Sequence, residues 1–189
     1  VFKLVVDSFR NNKIDFAVIG GFALSVAGYS RATEDIDLLI PQAGLPKVKK
    51  ILGAYGFELI HESQDVATFV GKMRELGRVD FLLAHRKYAK AMLERSVPKK
   101  ILDGKISVKV ILPEDLIGLK VQSSSNDPAR YHQDMADIEA VMRNNKKLEY
   151  SLIREYFALF DRQYELEEIM KRIKKCLVET RNSNSCATA

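Results

Sequence analysis

Apolar residues recur at helical spacing at the start of the chain (Phe2, Val5, Val6, Phe9), predicting a helix that "NNK" stops. "IDFAVIGG" reads as a short buried strand from about Phe16 to Ile19, closed by Gly20-Gly21. "FALSVAG" suits a helix with Gly28 as its C-cap, and "DIDLLI" a strand that Pro41 ends. "GLPKVKKILGAYG" predicts an amphipathic helix, with Pro46 in the first turn and Gly56 beyond the end. Three strand patterns follow, "FELIHE", "VATFVGKM" and "GRVDFLLA", with "RELG" as a hairpin turn between the last two. After the helical "RKYAKAMLERS", Asp103-Gly104 separates two alternating runs, a specific hairpin signal.

From Pro113 the period changes to helical throughout: "PEDLIGLKVQ", "RYHQDMADIEAVMRNN", "EYSLIREYFALF" and "ELEEIMKRIKKCLVE". "SSSNDPA", polar and rich in breakers, predicts a mobile loop between the first two. The pattern divides the chain into a mixed α/β core at 1–112, a helical region at 113–180 and a flexible tail at 181–189. The tail, "TRNSNSCATA", has too little apolar surface to order itself. There is no internal repeat.

Composition narrows the class. The 189 residues are 47% hydrophobic and 29% charged, an ordinary globular balance. No apolar stretch approaches the roughly 20 residues that span a bilayer. Asp7, Arg10 and Lys13 interrupt the first residues too soon for a secretory signal, so a cytoplasmic protein is expected. The two cysteines, Cys176 and Cys186, are expected as free thiols, and the three histidines lack metal-ligand spacing. A net charge of +5 is compatible with a polyanionic partner such as RNA or a nucleotide.

The chemistry concentrates at "RATEDIDLLI". On a strand, Asp35 and Asp37 point the same way, while Ile36, Leu38 and Ile40 fill the other face. Their mutual repulsion disappears if divalent cations sit between them. Two Mg²⁺ ions about 3.5–4 Å apart, a role Mn²⁺ can also fill, serve phosphoryl and nucleotidyl transfer. Asp80, alone in the apolar run "RVDFLLA", supplies a third metal-binding carboxylate and a candidate base for the acceptor hydroxyl. Gly20-Gly21, at a strand-to-helix junction, lets a phosphate approach the backbone, and Arg31 reaches it from the loop. Lys120 in "DLIGLKVQ" suits a phosphate-binding point charge and a solvated helix face equally well.

The order Ile19-Gly20-Gly21, helix, Asp35-Ile36-Asp37, third acid Asp80 resembles the polymerase-β-type nucleotidyltransferase superfamily. Within it, "GGFALSVAGYSRATEDIDLLI", with Arg31 and Thr33 ahead of the aspartates, is similar to the AbiEii-type nucleotidyltransferases of type IV toxin–antitoxin systems. The resemblance spans roughly residues 14–142. It implies a minimal nucleotidyltransferase fold of the α/β (α+β) class, a mixed sheet flanked by helices and followed by a helical C-terminal part. It implies NTP and Mg²⁺ as reactants, RNA such as tRNA as acceptor, and a cognate antitoxin as partner. It also implies nucleotide contacts by Gly20, Gly21, Arg31, Thr33, Lys120 and Asp134. Two positions depart from the pattern: Gly21 stands where many members carry Ser, and Gln133 where Lys is expected.

Two other readings share these residues. Antibiotic-modifying nucleotidyltransferases have the same Gly-Gly and D-x-D core, and they favour an acidic, partly closed acceptor pocket. A degenerate transferase that only holds nucleotide or a partner protein is the non-catalytic alternative. The presence of all three carboxylates argues against it. "KRIKK" at 171–175 favours a nucleic-acid acceptor, although such a run is more often a solvated helix face.

Overall fold

The computed structural model describes residues 1–33 and 35–186, with side chains as far as residue 176. It divides into two compact units, Val1–Leu116 and Ile117–Ala189.

The first unit is a mixed sheet with helices. The strands are β1 (Ala17–Val18), β2 (Ile36–Pro41), β3 (Phe57–Glu62), β4 (Val66–Gly71), β5 (Arg78–Ala84), β6 (Val97–Ile101) and β7 (Ile106–Val110), in the order β3-β4-β5-β2-β1-β7-β6. β2 runs parallel to β5 and β1 parallel to β7, and the other neighbours are antiparallel. The helices are α1 (Phe2–Asn11), α2 (Gly20–Val26), α3 (Leu45–Ala54) and α4 (Lys87–Glu94).

Alternation sets the register. On β5, Val79, Phe81 and Leu83 are buried while Asp80 and Leu82 are half-exposed. Phe9 of α1 stacks on Phe81 with ring centres 6.0 Å apart, and Phe81 meets Phe69 of β4 edge-on at 5.6 Å. These rings tie helix, central strand and neighbouring strand into one core, to which each adds apolar area and ring geometry. On β2, Ile36, Leu38 and Ile40 are buried as the alternation predicts, but Leu39 is fully buried too. The face that carries Asp37 is therefore covered one step further along.

α5 (Pro113–Asn126) opens in the first unit, where the fully buried carboxylate of Asp115 accepts hydrogen bonds from both Nε and Nη2 of Arg95, with Nε at 2.8 Å. It continues into the second unit and is followed by α6 (Tyr131–Asn144), α7 (Tyr150–Ala158) and α8 (Gln163–Cys186). Ile117, Val121, Ile138, Val141, Ile153, Phe157, Leu166 and Ile169 form their common core.

One expectation fails here. "SSSN" is not loop but the last turn of α5. The Ser124 and Ser125 hydroxyls bond back to the carbonyls of Lys120 and Val121. Arg162 Nη1 donates to Val121 O, Ser124 Oγ and Ser125 Oγ, and so satisfies the groups such a helix end leaves open. Only Asp127-Pro128 ends the helix. At the other end of the chain, α8 continues through most of the segment read as a tail, and 187–189 lie outside the described residues. No helix among the described residues is long and apolar enough to cross a membrane.

Candidate active site

β1 ends against β2, where Ile19 N donates to Asp37 O at 3.0 Å. Gly20 follows with φ +60°, and a Cβ there would lie 1.9 Å from Asp37 Oδ2. A Cβ on Gly21 would lie 2.6 Å from Thr33 Oγ1, and Thr33 in turn donates to Asp35 O at 3.4 Å. Where the sequence suggests room for a phosphate, the space two Cβ atoms would take is filled by Asp37 and Thr33. Glycine is needed here for close approach of side chain to backbone.

Asp35 sits in the bend before β2, and Asp37 is the second residue of that strand. In the parallel β2–β5 register Asp37 stands opposite Asp80, on strands about 4.8 Å apart. Asp80 Oδ1 accepts from Thr68 Oγ1 at 2.6 Å, and Arg78 Nε and Nη2 bind its two oxygens at 2.7 and 3.0 Å. The hydrogen bond to Asp80 holds the Arg78 guanidinium above its ordinary range, partial burial opposes this, and the charges of Asp80, Asp35 and Asp37 add to it. Arg78 is thus bonded directly to Asp80 and attracted by the charges of Asp35 and Asp37.

Arg78 and Thr68 are absent from the sequence reading. Arg78 is legible afterwards as the residue two before Asp80 on the same strand face. Thr68 is a polar residue in an apolar strand, and only the β4–β5 register, Thr68 opposite Asp80, shows what it serves.

Beside the glycines lies an open cleft of about 540 Å³. Gly21, Arg31 and Thr33 form one wall with Phe22 of α2, and Lys100 to Gly104 of the β6–β7 hairpin form the other. Four predicted nucleotide or metal residues (Gly20, Gly21, Thr33, Asp37) are therefore contiguous, and two of them, Gly21 and Thr33, line the cleft with Arg31.

Lys120 and Asp134 belong to the second unit. Lys120 is 6% exposed, and its Nζ lies 2.8 Å from Asp134 Oδ1 and 2.7 Å from Asp137 Oδ2, both fully buried aspartates. Gln133 donates to Asp137 at 2.9 Å, and Arg130 approaches Asp134 at 3.5 Å. Lys120 is on no solvated face, and its charge is met by carboxylates within the helical core.

Among the described residues no three His, Cys, Asp or Glu side chains stand together as a ready-made metal cage. The donor chemistry at Asp35, Asp37 and Asp80 nevertheless fits magnesium, which takes hard oxygen ligands and usually binds through one or two carboxylates plus substrate phosphates.

Residues 64–175, more than half of the chain, match the family described as "Nucleotidyl transferase of unknown function (DUF2204)". The chain belongs to that family. It is therefore a nucleotidyl transferase by family, and the match includes Asp80, Thr68, Arg78, Lys120 and Asp134. No curated protein sequence matches it.

Solved structures share the family's fold at low identity. ANT(2'')-Ia in complex with adenylyl-2''-tobramycin has 14% identity, a TM-score of 0.62, and coverage of 86% of this chain and 96% of that one. The lincosamide antibiotic adenylyltransferase LnuA, lincomycin-bound, has 15% identity, a TM-score of 0.53 and coverage of 76% and 96%. An antigenic nucleotidyltransferase-like protein from Paracoccidioides brasiliensis has 17% identity, a TM-score of 0.56 and coverage of 90% and 91%.

Proposed function

We propose that this nucleotidyl transferase moves NMP from a nucleoside triphosphate to a hydroxyl of an RNA acceptor such as tRNA, as an AbiEii-like toxin of the cytoplasm with a cognate antitoxin. The observation that carries the transfer step is Asp37 standing opposite Asp80 on neighbouring parallel strands, with Asp35 in the bend just before β2 and Arg78 bonded to Asp80. Magnesium, or manganese in its place, would bind these carboxylates together with the phosphates and stabilise charge on the attacking and leaving oxygens.

The acceptor oxygen attacks the α-phosphorus, the bond to the bridging oxygen of the β-phosphate breaks, and pyrophosphate leaves. Asp80 takes the hydroxyl proton, because Thr68 and Arg78 fix its orientation and leave acceptor capacity on its second oxygen. For Gly20, Gly21, Arg31 and Thr33, support as nucleotide contacts comes from the family resemblance, and Gly21, Arg31 and Thr33 also line the open cleft. For Lys120 and Asp134, support as nucleotide contacts comes from the AbiEii resemblance. What supports RNA as acceptor is the net charge of +5 together with the exposed lysines 99 and 105 on the β6–β7 hairpin.

The test is incubation with each labelled NTP and Mg²⁺ and, in separate arms, total RNA, tobramycin or lincomycin, beside the Asp35→Ala, Asp37→Ala double variant. Label is expected on RNA with the native protein alone. Label on an aminoglycoside or lincosamide instead would establish the small-molecule reading, the class of acceptor named for two of the structural neighbours. Failure of the native protein to bind any NTP with Mg²⁺ would remove the enzymatic reading altogether.

A further inference from the structure

We propose that Lys100, on the β6–β7 hairpin, receives the β- and γ-phosphates of the nucleoside triphosphate together with Arg31. The inference rests on the nucleotidyl-transfer reading and assigns a wall of the site that neither the sequence motifs nor the family resemblance includes.

The argument starts from what the glycine segment lacks. α2, "GGFALSV", carries no cationic side chain, so nothing on it neutralises a polyphosphate. The carboxylates lie at one end of this segment, since Gly20 touches Asp37. The next residue, Gly21, touches Thr33, and both line the 540 Å³ cleft. A nucleotide whose α-phosphate sits beside Asp35 and Asp37 therefore has its remaining phosphates directed past Gly21 into that cleft. Among the described residues, two cations line it, Arg31 from the loop and Lys100 from the hairpin, with the Asp103 carboxylate. A strongly charged polyphosphate needs such donors at its outer end, where a lysine acts as a mobile point charge.

The hairpin is held towards the cleft at a conformational cost. Leu102, Asp103 and Gly104 have φ of 51°, 55° and 79°, three consecutive residues in the left-handed region. Asp103 and Gly104 suit the tight turn, which Lys105 N closes on Leu102 O at 3.1 Å, but Leu102 does not. A non-glycine residue kept there is strained. Leu102 is exposed, so its side chain gains little burial in return. Strain of this kind collects at ligand sites.

The experiment is calorimetric titration of the full chain, in Mg²⁺, with each NTP, the matching NMP and inorganic tripolyphosphate. The native protein is expected to bind its NTP at least about tenfold more tightly than the NMP, the size of effect charge-assisted bonds supply. Lys100→Gln is expected to lose about tenfold in NTP affinity. It should also weaken competition by tripolyphosphate and leave NMP binding unchanged. Lys100→Arg should restore the NTP value. The side chain is exposed, so these substitutions leave the fold intact. NTP binding by Lys100→Gln equal to the native value overturns the assignment of the hairpin alone, as does equal loss of NTP and NMP binding. A native protein that binds no nucleotide overturns this proposal and the transferase reading together.

Discussion

Gly20 concentrates the demands of the site in one residue. It combines a left-handed backbone with a carboxylate oxygen 1.9 Å from where a Cβ would stand. Gly104 has the same backbone sign, at φ +79°, but open space around it. Gly104→Ala should therefore cost only the backbone term, about 1 kcal/mol, whereas Gly20→Ala adds a clash and should cost at least about 2–3 kcal/mol in urea unfolding. Gly20→Ala should also displace the Asp37 carboxylate and abolish NMP transfer. Equal unfolding midpoints for the two variants would show that Asp37 yields without resistance. The same scale governs Lys120. Its ammonium is buried between two fully buried aspartates, so Lys120→Met leaves uncompensated charge and should cost about 3–5 kcal/mol, far more than an exposed ion pair is worth.

Among the elements, strands were the most legible. β5 alternates from Arg78 to Leu83, and its lone acid at Asp80 is readable as facing away from Val79 and Phe81. The pairing that gives Asp80 its partners was not readable. Thr68 and Arg78 meet it through strand register and a shared face, and neither leaves a local trace distinct from ordinary polar residues. The end of α5 is hidden from the sequence for the same reason. Three serines and an asparagine carry weak helix propensity, and the donor that stabilises them, Arg162, lies 37 residues beyond Ser125. The Gly-Gly and D-x-D spacing, by contrast, is local and could be read directly.

Gly118 gives a test at this scale. A Cβ there would lie 2.7 Å from the ring of Tyr156, so α5 and α7 meet through a position that tolerates no side chain. Alanine is the better helix former by about 1 kcal/mol, yet Gly118→Ala should destabilise by about 1–3 kcal/mol because overpacking outweighs propensity. A stabilised variant would mean that Tyr156 is free to move aside.

For the molecule as a whole, the second unit ties stability to pH through one cluster. Arg162 Nε and Nη2 bond Glu165 at 2.8 and 2.6 Å, the Tyr131 hydroxyl donates to Glu165 Oε2 at 3.0 Å, and the guanidinium lies 5.2 Å from the Tyr131 ring centre. The hydrogen bond from Arg162 is the main reason the Glu165 carboxyl is held below its usual range, with Tyr131 adding to it against the opposing effect of burial. Burial pushes the Tyr131 phenol up first, and its bond to Glu165 pushes it further. The two groups limit stability at opposite ends. Glu165 contributes above its unfolded value near pH 4.3, roughly, and the contribution is lost as pH falls through the lower folded value. Tyr131 contributes below its unfolded value of about 10, and that contribution is lost as pH rises through the higher folded value. Urea unfolding of the full chain across pH should therefore fall away at both extremes. Glu165→Gln should flatten the acid limb, and Tyr131→Phe should remove the alkaline loss and lessen the acid one. Unchanged slopes in both variants would mean that the cluster holds no more tightly in the folded chain than in water.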